Sequence, residues 1–133
     1  MKNIITALFA AAFVLPAVAE EKGFTSLFDG KTLKGWDGKK EFWSVQDGAI
    51  QGKTTKETPT KGNTFIIWKG GAVTDFELKF EYRFLTKSGN SGCQYRSEDM
   101  GNNVVKGYQG DFEAGTRFSG INYGEKTGRG ILA

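Results

Sequence analysis

The sequence of 133 residues contains no histidine and a single cysteine. Without histidine, Ser-His-Asp triads and most zinc sites are excluded, and a catalytic thiol would have no imidazole base. One cysteine also excludes an internal disulfide bond. Cys93 lies between Gly92 and Gln94 at an apolar-face position, which favours a small buried side chain. Any general acid or base must therefore be Asp, Glu, Tyr or Lys, and we assign no metal and no cofactor.

The net charge is also small, at a formal value of +3. The Lys and Arg residues are scattered among Thr, Gly and Glu and form no basic stripe. A protein that binds the phosphate backbone needs such a stripe. We therefore expect no nucleic-acid partner.

The first nineteen residues have the pattern of a secretory signal peptide. Lys2 supplies a positive n-region, residues 4–15 an apolar h-region, and residues 17–19 a small-x-small cleavage site. The apolar run is too short for a spanning helix, and no second run follows. Cleavage before Glu20 predicts an exported bacterial protein, periplasmic or extracellular, with no membrane attachment afterwards. The alternative is an N-terminal membrane anchor.

Glycine and aromatic side chains are abundant, with 19 glycines and 14% aromatic residues. This composition is typical of a turn-rich all-β domain. Residues 42–46 and 49–52 read as two strands of a hairpin, and Asp47 and Gly48 between them can adopt the positive φ angles of a tight turn. Residues 64–68 predict a short buried strand.

Residues 73–85 show the clearest strand alternation, with apolar side chains on one face and charged side chains on the other. This predicts a half-buried antiparallel strand whose charges pair with a neighbour. Segments 53–62 and 100–106 predict loops. With about seven or eight strands in total, a β-sandwich is the expected architecture. The apolar residues are Phe76, Leu78, Phe80, Tyr82 and Phe84, and the charged residues are Glu77, Lys79, Glu81 and Arg83.

Two further segments, residues 93–96 and 108–113, carry polar side chains at strand spacing. Since successive side chains of a strand point to opposite faces, each segment has a polar face and an apolar face. Amide, guanidinium and carboxylate groups on one face suit a hydroxyl-rich ligand, and sugar recognition is predicted. The expected polar face comprises Gln94, Arg96, Gln109, Asp111 and Glu113, and the apolar face comprises Cys93, Tyr95, Tyr108 and Phe112.

An ordered set of short segments runs through the mature chain. The segments are residues 23–31, Leu33 with Gly35 and Trp36, residues 75–78, residues 90–92 with 94–96, residues 107–111, residues 122–125 and residues 128–132. In this order they resemble the 3-keto-disaccharide hydrolase family, also described as a 3-keto-glucoside 1,2-lyase/3-keto-2-hydroxy-glucal hydratase domain and formerly as a domain of unknown function.

The resemblance implies a concanavalin-A-like jelly-roll β-sandwich, as found in lectins and glucanases. It also implies a role in bacterial sugar breakdown, with a substrate already oxidised at C3 by a separate sugar 3-dehydrogenase. Family members are usually longer, and residues 130–133 resemble the start of a strand. We therefore expect residues 20–133 to be the N-terminal part of such a domain, with an incomplete sandwich.

A ketone at C3 makes the C2 proton acidic, so a modest base can remove it and expel the C1 aglycone before water adds back. This route needs a base near C2, donors to the enolate oxygen and an acid for the leaving group. It does not need the paired carboxylates of an ordinary glycosidase. Asp111 is the candidate base, Arg96 the enolate stabiliser, and Glu125 or Tyr123 the acid, although which carboxylate is base and which is acid stays open. The candidate substrate-binding residues are Gln94, Gln109, Glu113 and Arg129, and the alternative for Arg129 is to hold Glu125.

Simpler interpretations stand beside these. Asp111 and Arg96 would form a cross-strand ion pair on a wet sheet face, and the tryptophans Trp36, Trp43 and Trp68 would pack in the core instead of stacking on sugars. For the whole chain, the alternatives are a non-catalytic carbohydrate-binding module of the same fold or an inactive fragment.

Overall fold

A computed structural model describes residues 22–133, and within that range it contains eight β-strands and no helix. The all-β prediction is therefore confirmed, while the jelly-roll topology stays a prediction. The predicted signal peptide, residues 1–19, lies outside the described residues. Within them, no helix has the length and apolarity needed to cross a membrane. The strands are β1 (Trp36–Asp37), β2 (Trp43–Gln46), β3 (Ala49–Gly52), β4 (Ile67–Trp68), β5 (Asn90–Asp99), β6 (Val105–Glu113), β7 (Asn122–Glu125) and β8 (Gly130–Ile131).

The predicted hairpin is confirmed as β2 and β3, which pair antiparallel from Trp43 opposite Gly52 to Gln46 opposite Ala49. The two turn residues both adopt positive φ angles, 50° at Asp47 and 74° at Gly48. Two consecutive positive φ angles match the right-handed twist of the strands, and Asp-Gly is among the few pairs that adopt them readily. The local sequence therefore determines this element.

A second small ladder joins β1 to β4, with Trp36 opposite Trp68. The Trp36 indole N–H donates to the Leu27 carbonyl at 2.8 Å. The indole rings of Trp43 and Trp68 each lie against a glycine. A Cβ atom at Gly52, for example, would come within 2.8 Å of the Trp43 ring. All three tryptophans are half-buried, which supports the packing interpretation. The predicted strand 64–68 is reduced to Ile67 and Trp68.

The largest sheet is an antiparallel meander in the order β5–β6–β7–β8. Gly101, Asn102 and Asn103 form the tight connection between β5 and β6, with φ angles of 82°, 55° and 57°. Glycine and asparagine tolerate this left-handed region better than other residues. The loop predicted at 100–106 is therefore shorter than expected, and Val105, only 5% exposed, already belongs to β6.

Residues 73–85 do not form the paired strand that their alternation predicts. No backbone hydrogen bond joins this segment to any residue between 22 and 133. It lies instead with its aromatic side chains on Phe112 of β6, and the Tyr82 ring stacks on that phenyl ring at 4.3 Å between centroids. The predicted division into two faces is correct, but the predicted neighbour strand is missing from the described part of the chain.

The Asp29 carboxylate stabilises the turn that precedes β1. Asp29 Oδ1 accepts hydrogen bonds from the backbone N–H groups of Lys31 at 2.8 Å and Thr32 at 2.6 Å, and Oδ2 accepts from the Thr32 hydroxyl at 2.6 Å. The hydroxyl bond from Thr32, followed by the two backbone bonds, lowers the pKa of Asp29 from 3.8 to about 2. Asp29 is thus a turn former, as its Asp-Gly sequence predicts.

This turn makes stability depend on pH at the acid end. Because the folded pKa lies below the unfolded value, the contribution of Asp29 is complete above 3.8 and is lost as the pH falls towards about 2. Replacing Thr32 by Val removes the largest cause, so the pKa of Asp29 should rise towards its ordinary value. NMR titration of the Asp29 carboxyl carbon measures this, with Thr54→Val, at an exposed threonine outside the turn, as the matched control. An unchanged titration in Thr32→Val would contradict the assignment.

Candidate functional site

The register of the large sheet gathers polar side chains into one row. Gln94 lies opposite Gln109, and Gln109 lies opposite Tyr123 on β7. Directly opposed residues share a face, so these three side chains point the same way. Asp111 and Glu125, each two residues from a member of the row on its own strand, share that face. We call Gln94, Gln109, Asp111, Tyr123 and Glu125 the polar face.

A directed chain of hydrogen bonds runs along this face. The Ser97 hydroxyl donates to Gln94 Oε1 at 2.8 Å, and Gln94 Nε2 donates to Gln109 Oε1 at 2.8 Å. Gln109 Nε2 in turn donates to Asp111 Oδ1. Every donor points towards the carboxylate, so both amides are fixed in one orientation and each bond polarises the next. The arrangement positions Asp111 at the end of the chain.

Two glycines make room for the chain. A Cβ atom at Gly92 would lie 2.5 Å from Cγ of Gln109, and one at Gly107 would lie 2.6 Å from Cα of Ser97. Gly92 is opposite Asp111, so its missing side chain leaves the space that the Gln109 amide fills. Gly107 leaves the space for the main chain at Ser97, where β5 bulges. The sheet is therefore built around this row of side chains.

Glu125 is nearly buried, with 7% of its surface exposed, and so is Gln109. The Glu125 carboxylate accepts a hydrogen bond from Asn63 Nδ2 at 2.8 Å across 62 positions of sequence. A buried carboxylate needs such a partner, because desolvation without compensation is costly. The polar face is thus partly covered, with half-buried Gln94, Asp111 and Tyr123 as its more accessible members.

Arg96 does not join the polar face, and the expectation from simple alternation is wrong there. The β5–β6 register shifts between Tyr95 and Glu98, and Arg96 itself has a φ of 47°. A bulge inserts one extra residue and reverses the side-chain alternation beyond it. The Arg96 guanidinium instead approaches Asp75 at 3.8 Å, an exposed pair that contributes little to stability. The cross-strand pair of Arg96 with Asp111 is therefore absent.

Two other predicted residues are engaged elsewhere. Arg129 donates to the Tyr108 hydroxyl at 3.2 Å, and Tyr108 is on the opposite face of the sheet from Glu125. The Glu113 carboxylate accepts from the backbone N–H of Phe118 at 2.8 Å, which fixes the turn that leads to β7. Glu113 is thus tied to its own loop, and the partner of Glu125 is Asn63.

The remaining chemistry on the sheet is sparse. The Tyr123 hydroxyl forms no hydrogen bond with residues 22–133, so it is available to a ligand. Cys93 lies on the opposite, aromatic face, and partial burial raises the pKa of its thiol. This agrees with the interpretation of Cys93 as a small packing residue. Among residues 22–133, no three His, Cys, Asp or Glu side chains are close enough together to hold a metal ion.

Sequence reasoning missed two residues of this site. Ser97 begins the hydrogen-bond chain only because the bulge turns it towards Gln94. Asn63, directly after the predicted loop 53–62, reaches Glu125. An asparagine two positions before an apolar run is a weak signal for such a contact, and nothing local identifies its partner.

Residues 23–130 match the profile of the 3-keto-alpha-glucoside-1,2-lyase-like domain. The chain belongs to this family. A curated relative, the 3-keto-disaccharide hydrolase of Bacteroides thetaiotaomicron, is 30% identical over 107 residues, which cover 69% of this chain. The match covers only 35% of that relative's length. No solved structure matches the chain significantly.

The stability of the chain should be sensitive to a single methyl group added at Gly92. Alanine there must displace the buried Gln109 amide, and overpacking of this kind costs about 1–3 kcal/mol of unfolding free energy. Gly110→Ala is the matched control, because a Cβ atom at Gly110 meets nothing within 4 Å. It should change stability by less than about 0.5 kcal/mol or increase it slightly.

Urea unfolding measures both variants, and NMR of the side-chain amides shows whether Gln94 and Gln109 lose their fixed orientation. Equal stability of Gly92→Ala and Gly110→Ala, with unchanged amide signals, would contradict the packing of Gln109 against Gly92.

Proposed function

We propose that this chain provides the sugar-binding sheet of an exported enzyme that cleaves 3-keto-glycosides. The observation that carries the proposal is the directed hydrogen-bond chain that ends on the Asp111 carboxylate. Such a row offers a fixed base beside amide groups that bind hydroxyls in two directions. The family match and the similarity to a 3-keto-disaccharide hydrolase support the substrate class.

In the proposed reaction, Asp111 removes the C2 proton of the oxidised sugar. The electron pair of the C2–H bond moves to the C3 carbonyl oxygen and forms an enolate. The enolate then re-forms the C3 ketone, a C1–C2 double bond forms, and the C1–oxygen bond to the aglycone breaks. An acid protonates the departing oxygen. Addition of water, with OH to C1 and a proton to C2, completes a net hydrolysis.

The amides of the row serve the sugar in this proposal. Gln94 and Gln109 each commit one N–H to the chain, which leaves each a second N–H for a hydroxyl or for the enolate oxygen. Gln94 is the more accessible of the two, since Gln109 is 7% exposed. Because the Arg96 guanidinium lies with Asp75, amide N–H groups and the Tyr123 hydroxyl are the enolate donors that the described polar face offers.

Glu125 and Tyr123 are the candidates for the acid. Tyr123 is on the polar face opposite Gln109, with its hydroxyl uncommitted among residues 22–133. Glu125 is deeper and is positioned by Asn63. General acid catalysis by either group contributes typically about 10²- to 10⁴-fold.

Replacing Asp111 tests its proposed role as the base. With a 3-keto-glucoside that carries a chromophoric aglycone, Asp111→Asn should reduce aglycone release by about 10²-fold or more. Asp37→Asn makes the same chemical change at an exposed carboxylate on β1 and should have no effect. Undiminished release by Asp111→Asn would refute the role of this residue, and no release by the wild-type chain would refute the proposed activity of these 133 residues.

Exchange of the C2 proton distinguishes the role of the acid from that of the base. In deuterated water, loss of the C2 proton is seen by NMR as exchange, whether or not the aglycone leaves. If Glu125 is the acid, Glu125→Gln should slow aglycone release but preserve C2 exchange, whereas Asp111→Asn should abolish both. Tyr123→Phe tests the other candidate in the same assay. Preserved release in both acid variants would contradict both assignments.

A carbohydrate-binding module on the same fold is the competing function. It would use the amides of Gln94 and Gln109 without needing Asp111 as a base. Calorimetry against unoxidised disaccharides discriminates, because tight binding without turnover would favour the module.

Export and pathway position belong to the same proposal. Residues 1–19 have the pattern of a signal peptide, and N-terminal sequencing of the protein recovered outside the cytoplasm should begin at Glu20. A substrate with a ketone at C3 must be supplied by an oxidation at that carbon, so the partner reaction is a sugar 3-dehydrogenation.

A further inference from the structure

Residues 73–85 form an extended segment with two different faces. The rings of Phe80 and Tyr82 have centroids 6.5 Å apart, and those of Tyr82 and Phe84 lie 6.0 Å apart. These spacings fit a strand, in which every second residue repeats after about 6.6 Å. The aromatic side chains rest on the sheet through Phe112, while the intervening charged residues are exposed. The segment is a strand in shape without being one in pairing.

Its backbone edges are unpaired among residues 22–133, and its apolar side chains are only partly covered by them. No backbone hydrogen bond from residues 73–85 reaches another part of that range. Six of the eight most exposed large hydrophobic residues in the described chain belong to this one segment. Open edges and exposed apolar faces of this kind recruit another strand. The six residues are Val73, Phe76, Leu78, Phe80, Tyr82 and Leu85.

We propose that a second copy of this chain docks here. The two copies of residues 73–85 would pair antiparallel about a two-fold axis through Phe80. Such a contact is self-complementary, because the same segment supplies both halves. It gives each segment a strand partner that the described residues of its own chain do not provide.

Charge selects this register over its neighbours. When Phe80 faces Phe80, Glu77 lies opposite Arg83 and Lys79 lies opposite Glu81, so that the two-fold axis generates four pairs of opposite charge. A shift of two residues in one direction places Glu77 opposite Glu81 and Lys79 opposite Lys79, and the attractive pair that it forms, Asp75 with Arg83, is outnumbered by these repulsive ones. The opposite shift places Lys79 opposite Arg83 and Glu81 opposite Glu81. Parallel pairing in register sets every charge against itself, and like charges directly opposite are destabilising.

The apolar face is compatible with the same register. Phe76 would lie opposite Phe84 and Leu78 opposite Tyr82, with Phe80 opposite its own copy. Aromatic pairs across strands are favourable, and all of these side chains are already on the sheet-facing side. Lys79 stays on the outer face, where it lies 3.6 Å from Glu77 and 4.2 Å above the centre of the Phe24 ring. Glu81 of the second copy would add to these contacts.

The test is the oligomeric state of the purified chain and of charge variants. Sedimentation equilibrium should show a dimer for the wild type. Lys79→Glu turns two attractive pairs into repulsive ones and should weaken the dimer by about tenfold or more. The exchange Lys79→Glu with Glu81→Lys restores opposite charges in the proposed register and should restore the dimer. Lys56→Glu, in the exposed loop 53–62, is the matched control and should leave it unchanged.

Cysteine pairs test the register itself. In the proposed arrangement, Lys79→Cys with Glu81→Cys places the two thiols opposite each other in both pairs, at a distance that suits a disulfide bond. Oxidation should then give a covalent dimer on a non-reducing gel. Glu77→Cys with Glu81→Cys would be opposed only after a shift of two residues and should stay monomeric on the gel.

A wild-type chain that is monomeric at every concentration would overturn the proposal. Association that Lys79→Glu leaves unchanged, or that the charge exchange fails to restore, would also overturn it. So would preferential cross-linking of the 77/81 pair. Because the exchanged side chains are exposed, circular dichroism of each variant should match the wild type, which separates lost pairing from lost folding.

Discussion

The antiparallel register of β5, β6 and β7 is the constraint on which the rest of the described structure depends. Hydrogen bonds between these strands place Gln94, Gln109 and Tyr123 side by side, although they are far apart in sequence. A slip of one residue would turn the whole set to the opposite face. The register is reinforced on the other face, where the Tyr95 hydroxyl donates to Asn122 at 3.0 Å. The polar row and the aromatic packing are therefore two consequences of one ladder.

The parts of the fold that the sequence predicts are those determined within a few residues. Asp47 and Gly48 encode their hairpin turn because only a few residue pairs accept two positive φ angles. Alternation assigns Gln109 and Asp111 to one face and Phe112 to the other, because every second residue of a strand repeats its direction. The segment 73–85 has the correct faces for the same reason. Pairing is a different question, since it depends on a neighbour that no local pattern specifies.

The wrong face predicted for Arg96 has an equally physical cause. Counting by two assumes an unbroken ladder, and the bulge between Tyr95 and Glu98 breaks it. The bulge needs a glycine at position 107, because a side chain there would collide with Ser97. Asn63 was missed because its contact with Glu125 spans 62 residues.

The bulge has an electrostatic consequence for any ligand that binds the polar face. By turning Ser97 inward and Arg96 outward, it replaces a cation with a neutral hydroxyl at the head of the amide chain. The hydrogen-bonded side chains at the polar face are then amides, a hydroxyl and two carboxylates. None of these hydrogen-bonded groups is positively charged. Such a field favours uncharged, hydroxyl-rich molecules over anions.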